Sequence, residues 1–511
     1  LVVKPDLFTN PMYRVRGQNN RIYPDPRITP EHCETLQDIN ITEVGTAKKK
    51  NGFSKFNSNQ ISGATDVRGI AQVTFKDGTV RQVAIAGTTI NTVEAGSATP
   101  TVITGAVTVS NTDGALIRTA FIDDKLFITD GTGESFFIDT AGVAEVLTGE
   151  QWTTCQDFVI NNRVLCALNT TESGAKQPTR IRWCDINARS FILDVTNWPA
   201  DNRYEVDVDG AAIVCGVDNW QALNVFKEDG LHPVQLVYDH GFIEMRQAVA
   251  RPILGFEPIA RNGTARRPEF IFVIARDGAY IIRPDYSVEM VTKDIQGDWE
   301  DLNQGRLANA QTWIRQKDHQ VRTLMSSSTN TVGHDRVLVY DWEEGNVWFD
   351  TLPVAQAYGD SWIISNIEYD MYGSTDGYVQ QANDSTQTQD DGTDISYTIK
   401  MAPNDLGFPN KTKDIVNLNT HYRSQTGSQT IQLMVELDQG RVETQITNLS
   451  TGTSQKWDTG LKWDSGLKWP GGKNEVEQFF VNRTVQTIAP QWTGTDPFEL
   501  VGYSVEYKLT E

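Results

Sequence analysis

One phrase keeps returning in this chain and constrains its fold more than any other feature: an alternating apolar run, a turn built on Asp-Gly or a nearby Gly, and a second apolar run. It occurs as TFKDGTVRQVAIAG around Asp77-Gly78, DKLFITDGTGESFFID around Asp130 to Gly133, and NVFKEDGLHPVQLVY around Asp229-Gly230. It returns as FIFVIARDGAYIIRP around Asp277-Gly278, RVLVYDWEEGNVWFD through Glu343 to Asn346, and DMYGSTDGYVQQ around Asp376-Gly377. A two-residue hairpin turn needs φ > 0 at its central positions, which Gly, Asp and Asn reach at least cost, so each phrase predicts a β-hairpin. The hairpins are spread through residues 60–380 at a spacing that suits units of about four strands. Radial repetition of such units leaves only short, protected sheet edges, which makes 60–380 an expected β-propeller of about six blades. A pair of stacked β-sandwiches is the rival. It would show turns every 8–12 residues with no longer period, and the propeller is preferred.

The flanks read differently. Residues 1–59 form an expected extended N-terminal arm and entry segment, because Pro5, Pro11, Pro24, Pro26 and Pro30 interrupt any long element. One short helical turn is expected near PEHCETLQ. QANDSTQTQDDGTD, 381–394, is polar and aperiodic and reads as a linker. Beyond it ISYTIKMAP, KDIVNLNTHYR, QTIQLMVELD, VEQFFVNRTVQTIA and FELVGYSVEYKL alternate apolar and polar residues, predicting a C-terminal antiparallel β-sandwich over 395–511. The expected fold class is therefore all-β. Inside the last domain, KWDTGLKWDSGLKWPGG spaces Trp457, Trp463 and Trp469 six residues apart. Six is even, so an extended segment turns all three indoles to one side. They are candidate assembly contacts, since truncation of an interface tryptophan often costs about 2 kcal/mol or more.

Composition narrows the function. The formal net charge of −21 argues against an open basic nucleic-acid face, but not against a passage through which DNA slides. The five cysteines show no C-x-x-C spacing and read as buried free thiols suited to a reducing cytoplasm. LVVKPDLFTNPMYRV lacks the architecture of a secretory signal, and no apolar run approaches a membrane span, so no membrane insertion is expected.

Catalytic signatures are missing: there is no G-x-x-x-x-G-K-[ST], H-E-x-x-H or G-x-S-x-G. The six histidines are scattered without local zinc spacing, and VDVDGAA and QDDGTD lack a closing calcium-loop Glu. No catalytic residue, cofactor or metal is expected, and the chain reads as a non-enzyme. Two basic groups stand out against the overall charge. Arg261, Arg266 and Arg267 in RNGTARRPEF, and Lys48, Lys49 and Lys50 in GTAKKKNGFSKF, are candidate phosphate or inter-subunit contacts. A lysine run of this kind usually faces solvent.

The segment DINITEVGTAKKKNGFSKF, Asp38 to Phe56, resembles an entry segment of virion proteins of short-tailed bacteriophages. LNVFKEDGLHPVQL, VLVYDWEEGNVWFD and the closing FELVGYSVEYKL resemble the same group, the tail nozzle proteins of the tail-tubular-B type. The resemblance implies a β-propeller combined with smaller β domains, in a ring of six copies around a channel at the distal end of the tail. It implies a structural role: the ring retains the packaged double-stranded DNA and conducts it during ejection into the host. Its implied partners are the adaptor above and tail fibre, spike or needle proteins. The implied location is the virion tail, assembled in the host cytoplasm. No functional residue transfers position by position. The alternative is a carbohydrate-binding or carbohydrate-active propeller, since sugars stack on indoles. A cellular scaffold propeller would carry WD and Gly-His pairs repeating at the spacing of its blades, which this chain lacks.

Overall fold

The structure is a computed structural model. It describes residues 8–12, 15–19, 32–42, 45–61, 66–94, 100–105, 107–110, 116–186, 193–207, 210–239, 242–249, 251–382, 386–423, 429–438, 441–449 and 474–510. These fall into two units: 53–344 with 352–384, and 1–52 with 345–351 and 385–511. Both are built of strands. The longest α-helix among the described residues is the five-residue Gln296–Glu300.

The first unit is a β-propeller. Five separate antiparallel sheets follow one another in chain order. The first holds Val67–Thr74, Val80–Ala86, Thr89–Thr92 and Thr101–Val102. The second runs from Arg118–Ile122 to Ala144–Val146 and the third from Thr154–Asn161 to Arg203–Glu205. The fourth runs from Ile213–Asn219 to Ile253–Leu254 and the fifth from Thr264–Arg267 to Val288–Met290. Two further strand groups complete the circuit. One is Gln311–Arg315, Gln320–Met325 and His334–Asp341. In the other, Ile367–Ser374 pairs with residues from Gln356 onward and with Val379–Ala382.

The expected Asp-Gly turns are hairpins. Gly78 takes φ +86°, Gly131 +78° and Gly377 +88°, conformations costly for a residue with a Cβ.

Apolar cores lie between successive sheets, as radial stacking requires. Val83, Ile85, Leu126 and Ile128 join the first two. Phe158, Leu168, Val225 and Leu236 join the third and fourth. Phe226, Leu231, Ile271 and Ile282 join the fourth and fifth. The circle closes where Trp362 and Met371 of the last group pack on Val67 and Ile70 of the first sheet. Phe53–Lys55, from before the first sheet, pairs with Val379–Ala382 at the end of the last group and fastens the two ends of the unit by backbone hydrogen bonds.

The second unit is a two-layer antiparallel sandwich. One sheet orders Ile39–Ile41, Ala47–Lys49, Glu499–Leu509, Lys413–Arg423 and Asn474–Val485, with Phe8–Met12 also on Glu499–Leu509. The other orders Cys33–Gln37, Tyr397–Met401, Ile488–Gly494, Gln429–Leu437 and Arg441–Leu449. Burial alternates along Lys413–Arg423. Across the layers, Trp492 lies 5.6 Å from Tyr503 and donates its indole N–H to Thr420 Oγ1 at 2.9 Å.

Three expectations of the flanks are corrected. The N-terminal segment is not an extended arm but is divided between the units: Phe8–Met12, Cys33–Gln37, Ile39–Ile41 and Ala47–Lys49 pair within the sandwich, and Phe53–Lys55 pairs within the propeller. The helical turn near PEHCETLQ is instead strand Cys33–Gln37, whose apolar Cys33 and Leu36 are buried against the sandwich. The linker ends in a hairpin: Gln389–Asp390 pairs with Thr393–Asp394 around Asp391 and Gly392, both at positive φ.

Candidate functional site

The first strands of successive propeller sheets lie side by side and line the axis. Across that axis runs the segment Ala260 to Gly263, just before Thr264–Arg267. Asn262 donates its side-chain N–H to Ile117 O at 3.0 Å and to Gln311 Oε1 at 2.6 Å, while its carbonyl accepts Thr312 N at 2.8 Å. It thereby ties the second sheet, the fifth and the strand group after it. Gly263 is needed here, since a Cβ would stand 2.4 Å from Ala260 Cβ and 2.9 Å from Ile274 Cβ.

Arg261 reaches the second and third sheets. Its Nη1 donates to Asp130 O at 3.3 Å and reaches Gln156 Oε1 at 3.5 Å, and Gly131 leaves it room, since a Cβ there would lie 2.3 Å from that Nη1. Arg261 is buried, and its Nε and Nη2 find no acceptor. Burial lowers its pKa to about 10; nearby Asp157 opposes that drop and Arg118 adds to it. Arg118 is satisfied, gripping the buried Asp157 with Nε at 2.6 Å and Nη2 at 3.1 Å, while Asp157 also accepts Gly216 N at 3.0 Å.

Thr264–Arg266, Thr312–Ile314, Asp360, Ser361, Ile363 and Glu368 line an open depression of about 380 Å³. Asp360 accepts Ser361 N at 2.8 Å and the Trp362 indole N–H at 3.2 Å, yet burial raises its pKa to about 7. Glu368 accepts Gln316 N at 3.0 Å, Lys317 N at 2.8 Å and Ser361 Oγ at 2.9 Å. A second charged knot is wholly buried: Asp370 accepts Trp313 Nε1 at 2.7 Å, Arg315 Nη1 at 2.9 Å and Arg322 Nη1 at 3.2 Å.

The basic residues singled out in the sequence do not gather. Arg266 and Arg267 lie on a strand rather than in a loop and turn to different partners. Arg266 pairs with Asp218 at 3.2 Å, whereas Arg267 pairs with Glu269 at 3.1 Å and stacks over Trp342 at 4.3 Å. Arg261, buried at the axis, is not available to phosphate. The lysine run belongs to the sandwich unit, and it too departs from the solvent-facing expectation. Lys50 is buried against Asp38 at 2.8 Å and Asp390 at 3.5 Å. Lys49 is buried, donating to Thr388 O at 3.2 Å and to Thr495 O. Lys48 is half-buried. Each buried ammonium is held by oxygens of other segments, which explains its withdrawal from water. Trp457, Trp463 and Trp469 lie outside the described residues. All five cysteines are buried and free, and burial raises their thiol pKa values. Sequence reading missed Arg118–Asp157 and Asp370, because nothing in their spacing marks residues that meet only across strand groups, and Asp360, because its burial is set by the packing around it.

No family model matches the chain, and no curated protein does. Among solved structures, it is similar to the N-terminal domain of Nup159, at 11% identity and a TM-score of 0.39 over 68% of this chain and 98% of that one. It is also similar to the AfRom2 CNH domain, at 11% identity and 0.38 over 65% and 99%. A third is BBS1N from its complex with ARL6DN, at 14% identity and 0.36 over 66% and 99%.

Proposed function

We propose that this chain is a structural subunit of a short-tailed bacteriophage tail, a nozzle protein. Six copies form a ring that extends the DNA channel below the adaptor. The structural observation that supports the reading is the closed circuit of propeller sheets tied together near the axis by Arg261 and Asn262. The first strands of successive sheets lie side by side and are cross-tied by Arg261 and Asn262, so on this reading the propeller is a wall block and the passage for duplex DNA runs between copies. The sequence resemblance over Asp38–Phe56 and the strand phrases supports the same role, and a net charge of −21 suits a wall that must not hold DNA. Copies packed head to tail close into a ring when the rotation per contact divides the circle. On this reading the adaptor sits above, fibre, spike or needle proteins attach to the ring, and the location is the virion tail.

The test is mass determination by light scattering, with and without the adaptor, followed by electron microscopy of the product. A six-copy ring, or a monomer that forms rings on the adaptor, is the expected result. A monomer indifferent to the adaptor but stabilised against heat by glycans would replace this reading with the carbohydrate-binding one.

A further inference from the structure

One edge of the Arg261 guanidinium has donors and no acceptor. Arg261 is 7% exposed, and its Nη1 is engaged by Asp130 O at 3.3 Å and Gln156 Oε1 at 3.5 Å. Nε and Nη2 are buried and meet no acceptor among the described residues. The planar guanidinium holds these two nitrogens on one side, where their N–H bonds run parallel and form the fork that takes anions bidentately. The fork is preformed, because Nη1 anchors the group and the next residue, Asn262, is tied to Ile117 O at 3.0 Å and Gln311 Oε1 at 2.6 Å.

The charged groups around Arg261 are Asp157, Arg118 and Asp130. By count the two carboxylates match the two guanidinium groups, but by geometry they do not. Asp157 receives Nε and Nη2 of Arg118 together with Gly216 N. Asp130 receives Ser110 N at 2.7 Å, Thr132 N at 2.8 Å, Gly133 N at 2.7 Å and the Thr132 hydroxyl at 3.1 Å. Neither carboxylate bonds Arg261, which meets Asp130 only at the backbone carbonyl. A buried cation with no carboxylate of its own bears its desolvation penalty with little in return, and a charge-assisted acceptor at the fork removes that penalty.

We infer that the Nε–Nη2 edge of Arg261 holds one small monovalent anion of the size of chloride, enclosed near the propeller axis. A single-atom anion suits a closed site, because both donors converge on it and it brings no further oxygens in need of partners. The ion enters and leaves only as the surrounding segments open, so it is a structural ion of the propeller and does not depend on the nozzle reading.

The test uses the full chain in two measurements. In scanning calorimetry at constant ionic strength, with gluconate as the replacing anion, the propeller transition should rise by roughly 2–3 °C for each tenfold increase in chloride above the dissociation constant, and bromide should act alike. Arg261→Met lacks the fork, and chloride should leave its melting temperature unchanged. In halide-free buffer the parent carries its N–H groups unsatisfied, and it is there that removing the cation should be neutral or stabilising. In crystals grown from sodium bromide, anomalous scattering should place bromide within hydrogen-bond reach of Arg261 Nε and Nη2. That measurement needs no variant, so it decides the matter even where Arg261→Met fails to fold. A water at the fork in place of bromide, the same melting temperature in gluconate and in chloride, or an equal chloride response in Arg261→Met would overturn the inference. None of these outcomes bears on ring formation.

Discussion

Replacing Asp370 with Asn probes the most heavily committed charge in the propeller. Asp370 is fully buried and receives Trp313, Arg315 and Arg322 within 3.2 Å. Burial by itself would raise its pKa, but Arg322 and Arg315, helped by the Trp313 indole, hold it below the usual carboxylate range. Asn keeps the size and one acceptor oxygen. It removes the negative charge from between two guanidinium groups that are each only 3% exposed. Arg315 keeps Asp318 at 2.8 Å, so part of the compensation survives. Breaking one partner of a buried ionic cluster costs about 3–5 kcal/mol, because the remaining charges stay buried and unpaired. For a unit of this size that lowers the melting temperature by roughly 5–10 °C. Scanning calorimetry should place the loss in one of two transitions, that of the propeller. A depressed carboxyl stabilises fully above its unfolded pKa and loses that contribution as pH falls through the folded one. The gap between Asp370→Asn and the parent should therefore narrow on acidification. The triple replacement Asp370→Leu, Arg315→Met, Arg322→Met should recover much of the loss. A melting temperature for Asp370→Asn within about 1 °C of the parent would refute the reasoning, since it would mean the two arginines find water or another acid at no cost.

Arg261→Met should be neutral or stabilising by calorimetry, because it removes a buried cation with two unsatisfied N–H groups; a loss above about 2 kcal/mol would show that the guanidinium is needed at the axis. Asp360→Asn should raise the melting temperature at pH 8 and change it little at pH 4: a carboxyl raised to about 7 destabilises the fold as pH climbs above its unfolded value. Glu172 behaves in the opposite sense. Burial raises its pKa, but Arg182, Thr170 and Arg180 outweigh that and hold it at about 2, so its contribution is present above about 4.5 and fades toward pH 2. In acid titrations followed by circular dichroism, Glu172→Gln should lie below the parent at neutral pH and converge with it in acid. Trp463→Ala should leave both calorimetric transitions in place and impair incorporation into rings; normal incorporation would remove the tryptophan repeat from the assembly contacts.

Much of the fold is legible in the sequence, for a local reason. Strand character follows from period-two alternation, and turn position from residues that tolerate positive φ; both are properties of a few neighbouring residues. Hence the hairpins at Asp77-Gly78, Asp130–Gly133, Asp229-Gly230, Asp277-Gly278 and Asp376-Gly377 stand where the sequence places them. The same signal misleads about spacing, because it falls on different hairpins of different sheets. Asp77-Gly78 joins the first two strands of its sheet, while Asp130–Gly133 and Asp277-Gly278 join the second and third. Other hairpins turn on residues with no such signature, Trp220-Gln221 and Asn162-Arg163 among them, all at positive φ.

Local pattern thus suffices for an all-β chain, for a change of pattern near its last quarter and for the identity of most strands. Which strands meet, and with them which charges are buried, is settled by contacts between distant segments. Phe53–Lys55 closes the propeller from the far end of its sequence, and Cys33–Gln37 pairs with Tyr397–Met401, more than three hundred residues away. Lys49 and Lys50 read as solvated, and Arg261 as open to phosphate, because the oxygens that receive them come from Thr388, Asp38, Asp390 and Asp130. Whether a charge can leave water depends on partners within a few ångströms, and one chain read in order carries no record of that distance.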